Sequence, residues 1–510
     1  MIRIRLVPAV RLAAILFASL SASSSFAAEP VDIGSRRELF VDHHLIESLD
    51  GARLQLHRPT RREIVFRSDA AWEGNGSAYQ SVFQDGDRFR MYYRGGNHPA
   101  SKAYETNKSP WESLCVAESR DGIHWTRPEL GIVEFNGSRK NNLILNEEMV
   151  SEIGGSPAHT AVFKDANPEC PEEERYKIII VGRKPRGLYL LTAKDGFHFH
   201  LKSKKPFATE GAFDSQNLMF WDSVSKVYRE YHRQFDQGVR GIMTAKSKTL
   251  GQFPRPQWLA YLDAAEQALY TNQIQPYYRA PHIFMGFPMR YNDRGWSPSM
   301  KKLPGLAERE FRAKKSQRYG TTVTDAAFMT SRDGVRFHRW EEGFIRPGPS
   351  RKDTWVYGDN FIFWGMLQTK SHLDDAPNEI SLYATEGYWE GNATSFRRYT
   401  LRLDGFVSVQ APYRGGDLVT KPLKFEGSQL AMNFSSSAAG GIRVELQGEN
   451  GKAIPGFSLA DCDVQFGDEI ERIVSWKSNP DVGQLAGKTV RLRFEIRDAD
   501  LFSIQFGNPD

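Results

Sequence analysis

A seven-residue turn signature, Ser-x-Asp-Gly-x-x-Trp, recurs along this chain, and each copy closes a segment that begins with an apolar strand. The clearest copy is Ser119-Arg120-Asp121-Gly122-Ile123-His124-Trp125. Weaker copies are Ala193-Lys194-Asp195-Gly196-Phe197-His198-Phe199 and Ser331-Arg332-Asp333-Gly334-Val335-Arg336-Phe337, the last running on to Trp340. Asp-Gly suits the positive-φ positions of a tight hairpin, and the aromatic that follows starts the next strand and packs inward. A hairpin that returns at a regular interval in β-rich sequence predicts radial repetition, a β-propeller.

The N-terminus has the order of a secretory signal peptide over residues 1–28. Arg3, Arg5 and Arg11 precede the apolar run Leu12 to Leu20, and small residues lead to a cleavage point after Ala27 or Ala28. The apolar run is too short for a membrane anchor, and no cysteine follows it for lipid attachment. The mature protein is expected in a bacterial periplasm or outside the cell. The 67 Lys and Arg against 62 Asp and Glu leave a net charge of only +5. Nucleic acid is therefore a poor partner, and the clusters Lys202-Ser203-Lys204-Lys205 and Lys314-Lys315 read as solvated loops. Three cysteines, Cys115, Cys170 and Cys462, lie far apart, so at most one disulfide forms and a thiol is left over. No zinc spacing, Gly-rich phosphate loop or nucleophile elbow occurs, and no metal or cofactor is expected.

From residue 29 a lead-in with strand-like Leu39-Phe40-Val41 and Leu45-Ile46 precedes five units. Their opening strands are Tyr79–Phe83, His159–Phe163, Asn217–Trp221, Gln273–Tyr278 and Asn360–Trp364. The first two match as Tyr-Gln-Ser-Val-Phe-Gln-Asp and His-Thr-Ala-Val-Phe-Lys-Asp; the third and fifth share Asn-x-x-Phe-Trp. A polar, helix-forming insertion, about Asn292 to Tyr319, interrupts the fourth. After Leu403 the pattern changes to period-2 alternation, as in Gly441–Leu446 and Val490–Ile496. The fold class is thus all-β: a five-bladed propeller over 29–403 and a C-terminal β-sandwich over 404–510. An ordinary sandwich with coincidental Asp-Gly turns is the alternative.

In a propeller, residues just before inner strands and just after second strands converge on one pocket. Glu73, Asp214, Glu266 and Asp359 fall ahead of inner strands, and Glu230 lies within the second strand of unit three. Glu73 and Asp359 sit beside glycines, where a turn-capping role competes. Arg94, Arg183, Arg233 and Arg290 each end a second strand. Such a ring suits an anionic sugar, uronic or sulfated, because guanidinium groups grip carboxylate or sulfate in bidentate fashion. Four unrelated arginines paired with carboxylates is the competing reading. Trp72, Tyr79, Trp355 and Tyr357 stack on pyranose rings or seal blades; His159 and His232 bond sugar hydroxyls or are structural.

On these units and turns the chain resembles the five-bladed β-propeller glycoside hydrolases, the superfamily of invertases, levansucrases and arabinanases (families 32, 68, 43 and relatives). The resemblance implies a secreted glycosidase acting on a plant or algal poly- or oligosaccharide through acids at the openings of units one, three and four. Glu73 and Asp214 match the first two positions, Glu73 departing in type from the usual Asp. The third position holds Gln275 before Pro276, with Gln273 two residues earlier, where the family has Glu. The resulting assignment is Glu230 as acid, Glu73 as base or nucleophile, and Asp214 as the group that holds the sugar and tunes the acid. Arg94, His159, Arg183, His232, Arg233, Gln275, Arg290 and Asp359 are the substrate-binding set. Two alternatives stay open: a non-catalytic carbohydrate-binding propeller, favoured by Gln275, and a sialidase-like or lyase-type enzyme that uses Tyr or His.

Overall fold

Four of the five apolar opening segments supply the inner strand of a blade; in blade five the inner strand is Leu367–Thr369, just after the expected Asn360–Trp364. The computed structural model describes residues 29–106, 112–262 and 264–508; the expected signal segment, 1–28, lies outside them. Blade one is built on Ser81–Asp85, Arg88–Gly95 and Ser113–Ser119, with Leu143–Asn146 and Trp125–Thr126 outside. Blade two orders Ser156–Lys164, Tyr176–Arg183, Arg186–Ala193 and His200–Leu201. Blade three orders Leu218–Asp222, Val227–Asp236, Val239–Ser247 and Gln257–Trp258. Blade four runs through Gln275–Tyr277, Ala280–Gly286, Met329–Ser331 and Arg336–Arg339. Blade five runs from Leu367–Thr369 through Glu379–Glu386 and Ser395–Arg402, and its outermost strand is Thr60–Arg67, from ahead of blade one. That borrowed strand closes the ring, so neither end blade is left with a bare edge. On the inner side Val82 N–H donates to the Trp364 carbonyl (2.8 Å) and Trp364 N–H to the Gln80 carbonyl (2.9 Å).

The Asp-Gly turns do more than reverse the chain. Only their glycines take positive φ (Gly122 76°, Gly196 82°, Gly334 76°). The aspartates are acceptors: Asp121 Oδ1 takes the N–H groups of Ile123 and His124 (2.8 Å each), and Asp195 and Asp333 repeat the pattern. A two-glycine-like hairpin is thus replaced by a side-chain-capped loop. The buried glycine carbonyl then receives a phenol from the blade before it. Tyr383 of blade five donates to Gly122 O (2.7 Å), Tyr92 of blade one to Gly196 O (3.0 Å), and Tyr231 of blade three to Gly334 O (2.9 Å). A Cβ on any of the three glycines would lie 2.7 Å from that hydroxyl. The motif is therefore a latch between neighbouring blades.

The axis is plugged. Gln216 Nε2 donates to the Tyr79 carbonyl and Gln273 Nε2 to Gln216 Oε1, both at 2.8 Å. The insertion folds into helices Pro298–Lys302, Leu306–Lys315 and Gln317–Thr321 between the paired strands Met289–Asp293 and Thr322–Ala326. Buried Arg309 and Arg312 pin it to blade five through the carbonyls of Trp355 (2.7 Å) and Tyr388 (2.9 Å).

After the propeller the long strands Gln429–Gln447 and Arg491–Gly507 form the C-terminal β-sandwich around Val444, Leu446, Leu492, Phe494 and Ile496. The lead-in strands pair with this region and with no blade: Val31–Gly34 with Leu423–Phe425, Ile46–Asp50 with Gly416–Thr420, and Arg53–Leu56 with Val407–Ala411. Their apolar residues, Ile33, Phe40 and Leu45 among them, fill the sandwich core. At the seam, buried Asp404 accepts from Tyr277 (2.7 Å) and Arg279 (3.0 Å) of the propeller and from Ser503 (2.8 Å) of the sandwich. All three cysteines are free and buried, so no disulfide supports the fold.

The latch makes a graded prediction. Gly86, in the blade-one hairpin, has φ 64° but open space around a Cβ, whereas Gly334 has φ 76° and a phenol in the way. Gly86→Ala is expected to cost about 1 kcal/mol from backbone strain alone. Gly334→Ala is expected to cost a further ~1–2 kcal/mol by also breaking the interblade hydrogen bond. Urea unfolding midpoints measure both, and equal losses would contradict the latch.

Candidate functional site

A cleft of about 450 Å³ opens where the inner strands begin, lined from four blades, the stretch leading into blade four and the insertion. Blade one contributes Tyr79 and Arg94, blade two His159, blade three Asp214, Arg233 and Arg240, and blade five Tyr357, Tyr388 and Trp389. Tyr270 comes from the stretch leading into blade four, and the insertion adds Arg318 and Tyr319. A larger concavity of about 740 Å³ lies on the sandwich beside Asp498 and Asp500. It is drawn from one sheet region and lacks the convergence of independent elements that marks a functional cleft.

The cleft is cationic and aromatic. Arg94 and Arg233 are nearly fully buried, and each has one carboxylate partner. Arg94 Nη2 meets Glu112 Oε1 at 3.0 Å, and the other Glu112 oxygen accepts from Ser156 Oγ (2.6 Å). Arg233 pairs with Asp214, whose side chain is 77% exposed and so the accessible member of the pair. The Nε donors of Arg94, Arg233 and Arg240 are buried and find no acceptor. Unpaired buried guanidinium donors are costly, and an anion is the ligand that satisfies them. Tyr388 stacks on Trp389 (centroids 4.7 Å apart), and His98 lies flat on the same indole (3.8 Å). Tyr79, Gln273 and Trp389 hold left-handed backbone (φ 59°, 46° and 64°), strain of the kind concentrated at functional sites. Among the described residues no three His, Cys, Asp or Glu side chains converge to hold a metal ion.

Burial, then the charges of Arg94 and Arg233, pushes His159 down to about 3. Burial and the charges of Arg94 and Arg312 do the same to His98, also to about 3. Both imidazoles are therefore neutral in the cleft. The phenols of Tyr79 and Tyr357 are pushed up by burial and by neighbouring phenols. For Tyr270 burial is outweighed by Arg233, by hydrogen bonds from Tyr357 and Tyr79 and by Arg240, which hold it below the ordinary phenol value.

Of the residues singled out in the sequence, the structure gathers Arg94, His159, Asp214 and Arg233 in this cleft, with Tyr79 and Tyr357. The other residues singled out in the sequence lie away from the cleft lining. Glu73 is fully buried and saturated: Arg127 holds both its oxygens at 2.8 Å, Tyr93 donates to one, and Ala70 N–H to the other (3.0 Å). Glu230 is buried in the sheet as the acceptor of His232 Nδ1 (2.8 Å), and His232 packs against Phe213. Asp359 is sealed beneath the cleft floor, accepting the N–H groups of Gly387 (2.8 Å) and Tyr388 (3.1 Å); burial pushes its carboxyl up. Arg290 is held away by Asp325 (2.7 Å) and the Glu341 carbonyl (2.7 Å). Gln275 lines the opposite mouth with Val82, Phe163 and Trp364. Arg183 is exposed outside the cleft lining, although its charge reaches His159.

Sequence reasoning missed Glu112, Arg240, Tyr270, Tyr388 and Trp389. Tyr270 carries a usable signal: it stands three residues before Gln273, much as Asp214 stands two before Gln216, and both glutamines form the plug.

No protein-family model matches the chain, and no curated protein matches it. Solved structures resemble it in part. An N-acetylgalactosamine deacetylase from F. plautii, in complex with blood group B trisaccharide, shares 13% identity over 68% of this chain and 94% of its own, with a TM-score of 0.40. The catalytic domain of a Coprinopsis cinerea α-L-arabinofuranosidase shares 10% over 68% and 99%, TM-score 0.41. A Bacteroides ovatus glycosyl hydrolase shares 13% over 69% and 96%, TM-score 0.38. Likeness this slight carries no argument about activity, which rests on the cleft.

The neutral histidines set a pH dependence with a definite sign. Unfolded histidine takes up a proton near pH 6.5. Native His159 refuses it until about 3, so folding stability is complete above 6.5 and falls as pH drops from there toward 3. His159→Gln is expected to lessen that slope by about 1.4 kcal/mol per pH unit between those limits. Urea unfolding at pH 6.5 and 4.5 tests this, and an unchanged slope would contradict a neutral His159.

Proposed function

We propose that the protein is a glycoside-cleaving hydrolase that takes an anionic sugar, uronic or sulfated, of a plant or algal saccharide into the axial cleft. The observation that carries this reading is the set of buried guanidinium donors, on Arg94, Arg233 and Arg240, left without acceptors beside a wall of aromatic rings. Guanidinium forks match carboxylate and sulfate geometry. Aromatic faces fit pyranose rings, and the neutral His98 and His159 are suited to sugar hydroxyls. Export to the periplasm or beyond belongs to the same reading and rests on the N-terminal charged, apolar and small-residue order. No helix among the described residues is long and apolar enough to cross a membrane.

Glycoside cleavage needs a protonated acid at the leaving oxygen. Asp214 is the exposed carboxylate of the cleft, and as found it is neutralised by Arg233. An incoming sugar anion competes for that guanidinium. Released from Arg233 and placed beside the new anion, the Asp214 carboxyl gains affinity for a proton. Substrate binding thereby creates the acid that the reaction requires, and a neutral sugar does not. A second reading, binding without cleavage, is favoured by the ion pairing of both cleft carboxylates, Glu112 and Asp214.

Reducing-end release from polygalacturonate, alginate, a sulfated galactan, arabinan and xylan tests the proposal. Release is expected from an anionic polymer, and Asp214→Asn is expected to lower it at least about a hundredfold. Release from arabinan or xylan alone would overturn the anionic assignment. Binding to an anionic polymer without any release would establish the second reading.

A further inference from the structure

Three phenols meet at one point on the cleft floor. Tyr270 Oη lies 3.0 Å from Tyr79 Oη and 3.4 Å from Tyr357 Oη, which come from blades one and five. The guanidinium carbons of Arg233 and Arg240, from blade three, lie 5.1 and 5.6 Å from the Tyr270 ring centroid. Tyr291 stacks on the ring at 5.9 Å, Phe361 packs edge-on at 5.7 Å, and Ser215 Oγ fixes the backbone through the Tyr270 carbonyl (2.9 Å). Arg94 and Tyr388 also interact electrostatically with it, and His159, Asp214, Arg318 and Tyr319 line the same cleft. With Tyr79 and Tyr357 donating, the Tyr270 oxygen accepts two hydrogen bonds beneath two cations, an arrangement that stabilises its anion relative to that of an ordinary phenol. Glu112, by contrast, is occupied by Arg94 and Ser156.

We propose that Tyr270 is the catalytic nucleophile of the cleft, acting as a phenolate; the assignment rests on the glycosidase reading above. Its oxygen forms a bond to the anomeric carbon while the glycosidic carbon–oxygen bond breaks, and the departing oxygen takes the proton of Asp214. Water then attacks the same carbon and gives its proton back to the Asp214 carboxylate. The bond to Tyr270 breaks, the phenolate is restored, and the net change is hydrolysis with retained configuration. Tyr79 and Tyr357 are positioning residues that hold the charge on Tyr270. Nucleophilic catalysis requires this kind of activation, since an ordinary phenol at neutral pH is almost wholly protonated.

The test pairs a spectroscopic titration with turnover. Phenolate absorbance near 295 nm, followed against pH, is expected to show one tyrosine of the wild type ionising below the ordinary value of about 10. That step is expected to vanish in Tyr270→Phe, to move up in Tyr79→Phe and Tyr357→Phe, and to move down in Asp214→Asn, which leaves Arg233 to the phenolate. On whichever of polygalacturonate, alginate or sulfated galactan the wild type cleaves, Tyr270→Phe is expected to lower kcat at least about a thousandfold. A titration unchanged by Tyr270→Phe, or a loss of less than tenfold, overturns the role of Tyr270 while leaving the glycosidase reading intact. No cleavage of any polymer by the wild type overturns the reading on which the role depends.

Discussion

The hydrogen bond from a tyrosine of one blade to the glycine carbonyl of the next is the contact on which the rest of the molecule depends. A blade buries both faces only against its neighbours, so its position is set by what locks those neighbours together. Tyr92, Tyr231 and Tyr383 all sit in second strands, and each finds a glycine whose missing side chain leaves room for the ring. Three of the five junctions are fixed this way. The other two use different means: Tyr228 of blade three donates to Asp165 at the inner hairpin of blade two (2.8 Å), and Tyr278 of blade four donates to Gln368 of blade five (3.1 Å). Where blade three has lost its Asp-Gly turn, at Ala245-Lys246-Ser247, no tyrosine-to-glycine latch forms among the described residues.

A ring fixed at its rim can hold an unfavourable centre. Removing guanidinium groups from water costs several kcal/mol each unless partners compensate. The cleft gives Arg94 and Arg233 one carboxylate apiece and sets Arg240 over the Tyr291 ring at 4.0 Å. Three buried phenols meeting at one point and left-handed backbone at Tyr79 and Trp389 add to the cost. Such a site persists because five blades, a plug of Gln216 and Gln273 and a helical insertion anchored by Arg309 and Arg312 leave its groups no alternative arrangement. Among these paired groups Asp214 is the one that faces solvent.

The propeller was legible because its signal is local: an apolar strand, an Asp-Gly turn and an aromatic are a dozen residues apart. Arg94, Arg233, His159 and Asp214 were legible because a strand end that returns to one face can be counted along the chain. Glu73 and Glu230 lie away from the cleft lining for a physical reason. Adjacency to an inner strand does not say which side of the backbone a carboxylate leaves, and their partners Arg127 and His232 decide it. Tyr270 lies in irregular chain with no periodicity to read, and Arg318 and Tyr319 arrive on an insertion whose docking depends on blade five. The lead-in was read with the propeller it precedes, but its strands pair with chain nearly four hundred residues later, a distance no local pattern spans.

The measurement that tests the central claim most directly is a crystal structure of the protein with an acidic oligosaccharide, an oligogalacturonide or a sulfated galactan fragment. The account predicts the sugar anion between Arg94 and Arg233, with Asp214 displaced from Arg233 and the ring against Tyr388 and Trp389. A sugar bound on the sandwich beside Asp498, or at the opposite mouth beside Gln275 and Trp364, with the axial cleft unchanged, would contradict it.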